Sequence, residues 1–489
     1  MIKFDGRILQ FGFGAVGKSF YEKVSKEIKF NENNYFVLSK DKFEFDAFID
    51  LGGIVSNFLV YDVTRDNFSS IFEKYLKEGD LLIDFADTVG TRDICKWCAD
   101  NNIMYINTGE ADWPDNWYSI LNENLLKQDL RKKYEKNPDL NKYPIVLQHG
   151  DNPGLVSHFV KLGIESIVNK QYSKNKELKK LLKENKFNEI AYKLELKTIH
   201  VNDIDLQIIN DEFKSDKLFN TWCIDSFFFE MLSESTVNIG THEKIDYEEK
   251  CKQIDLKEGF IEFNKMAADL KCNTYYPNGK FEGFLVPHEE TITIAKSLEL
   301  KENGKIIYRP TVAFIYSPCE FARKYLEKAK ANTYPIPDPN KPQDTENADG
   351  KTIIRGYIYP EKYEIVYREK IKSGTEYVGV LLMGEKFNPV WVGNRVNLDF
   401  LYKNLKTSYW QTPTITPVAM SALSAVCWMI KNKNKGGIYF PDDIKEYKYI
   451  LKIAEKYISK TICKTFDRKQ IEEELNLNLA NLQFKDFII

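Results

Sequence analysis

The chain has 489 residues, 43% of them apolar and 29% charged, which at ~150 residues per domain predicts two to three domains and excludes a disordered or fibrous protein. Its 69 basic and 72 acidic side chains leave a formal charge of −3, so no net field favours nucleic acid and a local site must carry the function. No run approaches the ~18 to 20 apolar residues of a membrane span, and the opening residues show no signal-peptide h-region, so the expected location is the cytosol.

Of the eight cysteines, only Cys95 and Cys98 form a CxxC, with no partner pair at zinc spacing. They are read as reduced structural thiols. Neither His242-Glu243 nor His288-Glu289 continues into HExxH, so no metalloprotease site is expected.

Along the chain, residues 7–11 form a β-prone run entering Gly12-Phe13-Gly14-Ala15-Val16-Gly17-Lys18, followed by a helix-like stretch from Ser19 to Ile28. Further strands are expected at Tyr35 to Leu38, Ile54 to Tyr61, Leu81 to Phe85, Met104 to Asn107 and Ile145 to Leu147. Helices are expected at Arg92 to Asn101 and Trp117 to Tyr134. This alternation predicts an α/β, Rossmann-type, doubly wound parallel sheet over residues 1–151. Over residues 152–412, alternating runs such as Ile353 to Ile358 and Tyr377 to Leu382 predict a second α+β domain with a largely antiparallel sheet. The Pro-rich, then polar stretch Asn332 to Gly350 reads as an irregular exposed loop. The lysine-rich stretch from Lys174 to Lys186 reads as a solvated helix face. Val418 to Ile430 is apolar all round and reads as a buried helix, near 413–435, that returns to the first domain. Residues 436–489 are set apart as a C-terminal segment.

Gly12, Gly14 and Gly17 have GxGxxG spacing. The first glycine permits the tight turn, the second lets backbone approach a pyrophosphate, and the third lets helix and strand pack closely. The pattern is weak alone, but strand, helix and later alternation surround it here. Where an acidic residue would bind the adenosine ribose, the chain reads Val37-Leu38-Ser39-Lys40-Asp41. Either Asp41 reaches back, or Ser39 and Lys40 tolerate a 2′-phosphate, so NAD and NADP both remain open.

Separated segments then carry a resemblance: the glycine turn, Thr64-Arg65-Asp66-Asn67, Asn152-Pro153-Gly154-Leu155-Val156-Ser157, Asn220-Thr221-Trp222, Gly240-Thr241-His242-Glu243, Gly283-Phe284-Leu285-Val286-Pro287-His288 and Tyr308-Arg309-Pro310-Thr311. In order and interval they resemble bacterial homospermidine synthase, related to the saccharopine dehydrogenase group, over nearly the whole chain. The resemblance implies a tightly held NAD and a second domain that closes the site and forms a homodimer. It implies that two putrescines are joined: one is oxidised, ammonia leaves, the other attacks the imine, and the hydride returns.

Position by position, the resemblance implies catalytic roles for Trp222, Glu230, Asp203, Asn152, Glu110 and His288. It implies diamine binding by Glu110, Asn152, Asp203, Trp222, Glu230 and Glu376. Cofactor contacts are implied for Gly12, Gly14, Ala15, Val16, Gly17 and Ser39, and for Thr64, Asp87, Thr108, Asn152 and Pro153. A flexible dication needs fixed negative charge or π faces, which these side chains supply. Each also has a plain alternative: a core tryptophan, solvated glutamates, a satisfied histidine, a turn asparagine. Asp203 and Glu376 stand where the family carries glutamate and aspartate, which alters reach. Two competing readings remain. One is a net oxidoreductase on a carboxylated substrate, for which Arg309 and Arg395 offer cations; the other is a nucleotide sensor without turnover.

Overall fold

The computed structural model describes residues 1–86, 89–109, 111–113, 120–137, 139–214, 216–245, 248–330, 344–346, 352–405 and 408–489, with only the backbone of 344–346, 352 and 404–405. These residues form two compact units. Unit 1 comprises 1–162, 292–297 and 415–461; unit 2 comprises 163–291, 298–414 and 462–489.

Unit 1 is built on a seven-stranded parallel sheet. Its spatial order is Gly437–Tyr439, Pro144–Val146, Met104–Asn107, Leu81–Asp84, Ile8–Phe11, Tyr35–Ser39 and Phe58–Val60. Strands Ile8–Phe11, Leu81–Asp84 and Met104–Asn107 are buried throughout, which explains why they read as continuous apolar runs rather than alternating ones. The order reverses between Ile8–Phe11 and Leu81–Asp84, and a ligand crevice is expected beyond the carboxyl ends at such a point. Helix Ile415–Lys431, buried along almost its whole length, packs on helix Ala15–Glu27. Tyr457 Oη (2.7 Å) and Lys456 Nζ (2.7 Å) both donate to the Glu27 carboxylate of that first helix.

Unit 2 holds a ten-stranded mixed sheet. Most neighbours are antiparallel, while Thr311–Ser317 runs parallel to Leu196–Asp205. Along Leu196–Asp205, Ile204 joins a core with Ala313, Ile315, Tyr377, Leu381 and Trp391, and Phe466, Leu479 and Phe484 near the C-terminus belong to the same core. The period of two then puts Asp203 and Asp205 on the opposite face. The lysine-rich stretch forms helix Lys176–Lys183, which buries Leu178 and Leu181.

Four expectations are corrected. Ile54 to Tyr61 is a strand only over Phe58–Val60, because Asn57 Nδ2 donates to the carbonyls of Tyr35 (2.9 Å) and Glu32 (3.1 Å) and holds Val55–Asn57 in a 3-10 turn. Ile353 to Ile358 is broken into Thr352–Ile354 and Tyr357–Ile358 by positive φ at Arg355 (50°) and Gly356 (86°). The stretch read as an irregular loop contains strand Asp344–Glu346, which pairs with Thr352–Ile354 in a small separate sheet. Residues 436–489 do not lie in one unit; they divide at 461/462.

Candidate functional site

In unit 1 the glycine turn is shaped by backbone and by one buried side chain. Gly12 has φ of 92°, and a Cβ there would meet the Phe85 carbonyl carbon at 2.9 Å; at Gly17 it would meet the Gly12 oxygen at 2.4 Å. At Gly14 a Cβ would meet nothing within 4 Å, so this glycine lines open space at the amino end of helix Ala15–Glu27. Gln10, fully buried, donates from Nε2 to the carbonyls of Gly12 (3.1 Å) and Gly17 (3.0 Å), while its Oε1 accepts from Tyr35 Oη (2.6 Å). The turn therefore has the two tight glycines and one open glycine that fit a dinucleotide pyrophosphate. Ala15 and Val16, half-buried, open the helix.

Ser39 ends its strand, buried, and its carbonyl accepts from Tyr61 N at 3.0 Å. Asp41 is exposed and its Oδ1 takes the Phe43 amide at 2.9 Å, so a local turn occupies that carboxylate. Thr64 is exposed and begins the turn before helix Phe68–Tyr75, where its amide donates to Asn67 Oδ1 at 2.8 Å. Thr108 is half-buried, with its carbonyl close to Gly150. Asp87 and Glu110 lie outside the described residues.

Asn152 and Pro153 sit in a loop pinned from several sides. His149 N donates to Asn107 O at 2.9 Å, Gly150 N to Pro153 O at 2.7 Å and Leu155 N to Gly150 O at 3.0 Å. Gly154, at φ 137°, approaches Gly150 so closely that no side chain fits. Beside it, His149 Nδ1 is 2.9 Å from Ser421 Oγ and its Nε2 is 3.0 Å from His158 Nε2. Burial pushes both imidazoles down, His149 to about 3, so this pair is neutral.

In unit 2 the sheet register collects residues distant in sequence. Tyr316 is the Cα partner of Asp203, and Glu376 the partner of Asp205, so all four lie on the face away from the apolar core. Asp205 Oδ2 accepts from Thr221 Oγ1 (2.6 Å), and its Oδ1 accepts from Gln207 N (2.8 Å) and Nε2 (3.0 Å). Burial raises the Asp205 pKa, against the lowering by these donors. The residue after Thr221, half-buried Trp222, donates from Nε1 to Tyr316 Oη at 2.9 Å.

On the same face Phe314 stacks on His288, with centroids 4.0 Å apart and planes at 15°. His288 Nδ1 lies 2.6 Å from Glu290 Oε2, and its Nε2 lies 3.6 Å from Glu230 Oε1. Burial alone would discharge this imidazole, but the Glu290 and Glu230 carboxylates outweigh it and raise His288 well above its ordinary value. Burial also raises Glu230, against the pull of His288. His288, Glu289 and Glu290 offer ligand atoms within reach of one cation, and the raised His288 pKa favours its protonated form between Glu230 and Glu290, an arrangement that acts as a charge clamp.

The structure thus groups Glu230 with His288, and Asp203 with Glu376 and, through Tyr316, Trp222. Gln10, Asp205, Glu290 and Tyr316 were missed in the sequence. Asp205 was signalled by its two-residue spacing from Asp203, and Glu290 by its place two after His288; Tyr316 had no signal. Other motif residues prove architectural. Arg309 Nη1 pairs with Glu299 Oε1 at 3.0 Å and its guanidinium also donates to the carbonyls of Ile239, Lys257 and Leu256. Arg395, opposite Tyr377 in the register, lies on the core side of the sheet and is exposed. Cys95 and Cys98 are buried free thiols, with Cys95 pushed up by burial to about 12.

Comparison with known proteins agrees with this layout. Residues 8–148 match the family described as Saccharopine dehydrogenase NADP binding domain. The chain is 24% identical over 465 residues to a homospermidine synthase of Mesorhizobium japonicum, covering 93% of this chain and 89% of that one. It is 23% identical over 478 residues to a homospermidine synthase of Blastochloris viridis, covering 94% and 91%. Among solved structures, the homospermidine synthase of Legionella pneumophila in complex with NAD superposes with a TM-score of 0.80 at 23% identity, covering 100% of this chain and 98% of that one. Apo saccharopine dehydrogenase (L-Glu forming) from Saccharomyces cerevisiae superposes at 0.53 with 11% identity, covering 94% and 100%. These likenesses extend over both units and establish the fold. No described helix is long and apolar enough to cross a membrane.

Proposed function

We infer that this chain acts as a homospermidine synthase, converting two putrescines into homospermidine and ammonia with NAD as a cofactor that is regenerated in each cycle. One observation carries this choice over a carboxylate-using dehydrogenase. The functional face of unit 2 presents Asp203, Glu376, Glu230 and the Trp222 ring, while both candidate arginines are placed elsewhere. Arg309 is committed to Glu299 and three carbonyls, and Arg395 is on the other side of the sheet. Such a face suits a substrate cationic at both ends.

NAD, when bound, would supply a hydride acceptor for the carbon bearing one amino group of putrescine and would serve as the donor that restores it. Gly12, Gly14 and Gly17 would hold the pyrophosphate, with Ala15 and Val16 opening the helix at that turn, and Ser39, Thr64, Thr108 and Pro153 would complete the cofactor surround. Asn152, beside Pro153 in the same unit as the glycine turn, would contact the nicotinamide end of the cofactor. Asp203, Glu230 and Glu376 hold ammonium ends, so that the amine to be oxidised is fixed in position and its cation is compensated. The indole face of Trp222 stabilises the iminium formed when hydride departs. The free amine of the second putrescine adds to this carbon, the first nitrogen leaves as ammonia, and a new iminium to nitrogen is reduced by the returning hydride. The protonated His288, clamped by Glu290, fixes the Glu230 carboxylate. The reading assigns the reaction to the cytoplasm, and the enzyme is expected to be a homodimer by light scattering.

The test is incubation of the full chain with putrescine and substoichiometric NAD, in parallel with NADP, followed by mass analysis of polyamines and an ammonia assay. Triamine and ammonia should appear in equal amounts and exceed the NAD supplied. NADH accumulating with putrescine consumed, with no triamine, would refute the reading.

A further inference from the structure

We propose that Tyr316 and the Asp205–Thr221 pair are positioning residues that fix the Trp222 ring for its work on the iminium, an inference that rests on the reading above. Trp222 is half-buried and sits in a short segment between strand Lys217–Asn220 and helix Ile224–Leu232. A ring in such a place would sample several rotamers unless held. It is held at both ends.

At the backbone end, the residue before it donates its hydroxyl to Asp205 Oδ2 at 2.6 Å. Asp205 is itself fixed on its strand by two donors from Gln207. At the ring end, Trp222 Nε1 donates to Tyr316 Oη at 2.9 Å. Tyr316 is buried and belongs to a central strand whose register sets it opposite Asp203. Its ring meets Trp222 edge to face at 6.4 Å, and Phe227 packs edge to face on both, at 6.1 Å from Trp222 and 6.5 Å from Tyr316. The acceptor therefore sits on a rigid strand, and the aromatic neighbours remove the remaining freedom of the indole. An indole whose N–H is engaged by an acceptor also carries more electron density on its face, which strengthens its attraction for a cation. Tyr316 touches the reaction only through Trp222.

The experiment uses full-length enzyme with NAD and putrescine. Tyr316→Phe keeps the ring and removes the acceptor. It should lower kcat by about three- to tenfold while putrescine KM changes by less than about twofold, because orientation matters most when the cation is formed. In a Trp222→Phe background, which has no indole N–H, Tyr316→Phe should cause no further loss. With 5-fluorotryptophan in place of the seven tryptophans, the resonance that disappears in Trp222→Phe should shift in Tyr316→Phe. If Tyr316→Phe does not fold, Thr221→Val carries the test, with the same split between kcat and KM expected. A folded variant at full kcat, an unshifted resonance, or an equal loss in the Trp222→Phe background each overturns the inference while the synthase reading stands. Absence of triamine from the wild-type protein overturns the synthase reading and this inference with it.

Discussion

Replacing His288 by glutamine should show how much of the clamp is structural. His288 lies between Glu290 (2.6 Å) and Glu230 (3.6 Å) and is stacked on Phe314 at 4.0 Å, so the substitution removes the cation and leaves two carboxylates facing each other at a buried position. Breaking a buried ion pair by deleting one partner costs about 3–5 kcal/mol, and for a domain of this size each kcal/mol lowers Tm by roughly 2–4 °C. A fall in Tm of roughly 6–20 °C is therefore expected in scanning calorimetry of the NAD-bound protein. The sign with pH follows from the direction of the shift. The folded-state pKa of His288 is raised, so its contribution is fully present below the unfolded value of about 6.5 and is lost as pH rises through the raised value. The difference in stability between wild type and His288→Gln should be largest near pH 6 and shrink on the alkaline side. Adding Glu290→Gln to His288→Gln should recover part of the loss, because one of the two stranded charges is then gone. A single variant within about 1 kcal/mol of wild type, or a double variant worse than the sum of the two, would refute the clamp.

Gly14→Val should leave the fold intact, since nothing lies within 4 Å of the added Cβ, yet abolish NAD binding by calorimetry; Gly17→Val, which drives a Cβ to 2.4 Å from the Gly12 oxygen, should unfold the turn instead. Trp222→Ala should lower kcat at least about tenfold with a smaller rise in putrescine KM, since a cation–π contact of about 0.5–2 kcal/mol and the positioning of the amine are both lost. Glu230→Gln should mainly raise KM for putrescine in steady-state assays. Burial raises Glu243 to about 7, against donors from Thr311 Oγ1 and Phe484 N. Its protonated form favours folding below about pH 4.5, and that advantage is lost as pH rises through 7. Glu243→Gln should therefore flatten the decline in urea stability between about pH 4.5 and 7.

The dinucleotide turn was legible because every constraint in it is local: Gly12, Gly14 and Gly17 are fixed by spacing on one strand–turn–helix, and the flanking apolar runs report a sheet buried on both faces. The run Tyr377 to Leu382 likewise announced a strand, which the structure extends to Thr375–Gly384 and buries at every position. The clamp and the aromatic anchor were only partly legible. Asp203, Glu230, Trp222 and His288 came from resemblance, since an isolated Glu or Trp has no local signature distinguishing a site from a surface or a core. Asp205 escaped notice although it sits two residues from Asp203. Tyr316 had no signal, since its role depends on parallel pairing with a strand more than a hundred positions earlier.

The sequence by itself determined the composition of the strands, the glycine turn, the buried helix Ile415–Lys431 and the supply of carboxylates, because these depend on residues a few positions apart. Tertiary structure decided which carboxylates and rings meet. The register of Leu196–Asp205 against Thr311–Ser317 and Thr375–Gly384 puts Asp203, Asp205, Tyr316 and Glu376 on one face, and a slip of one residue would turn a strand's side chains to the other. It also decided that Arg309 is a structural tie rather than a substrate cation, because only the folded chain brings Glu299 and the carbonyls of Ile239, Leu256 and Lys257 around one guanidinium. Long-range pairing fixes such neighbours through packing of the entire sheet, and no short window of sequence contains that information.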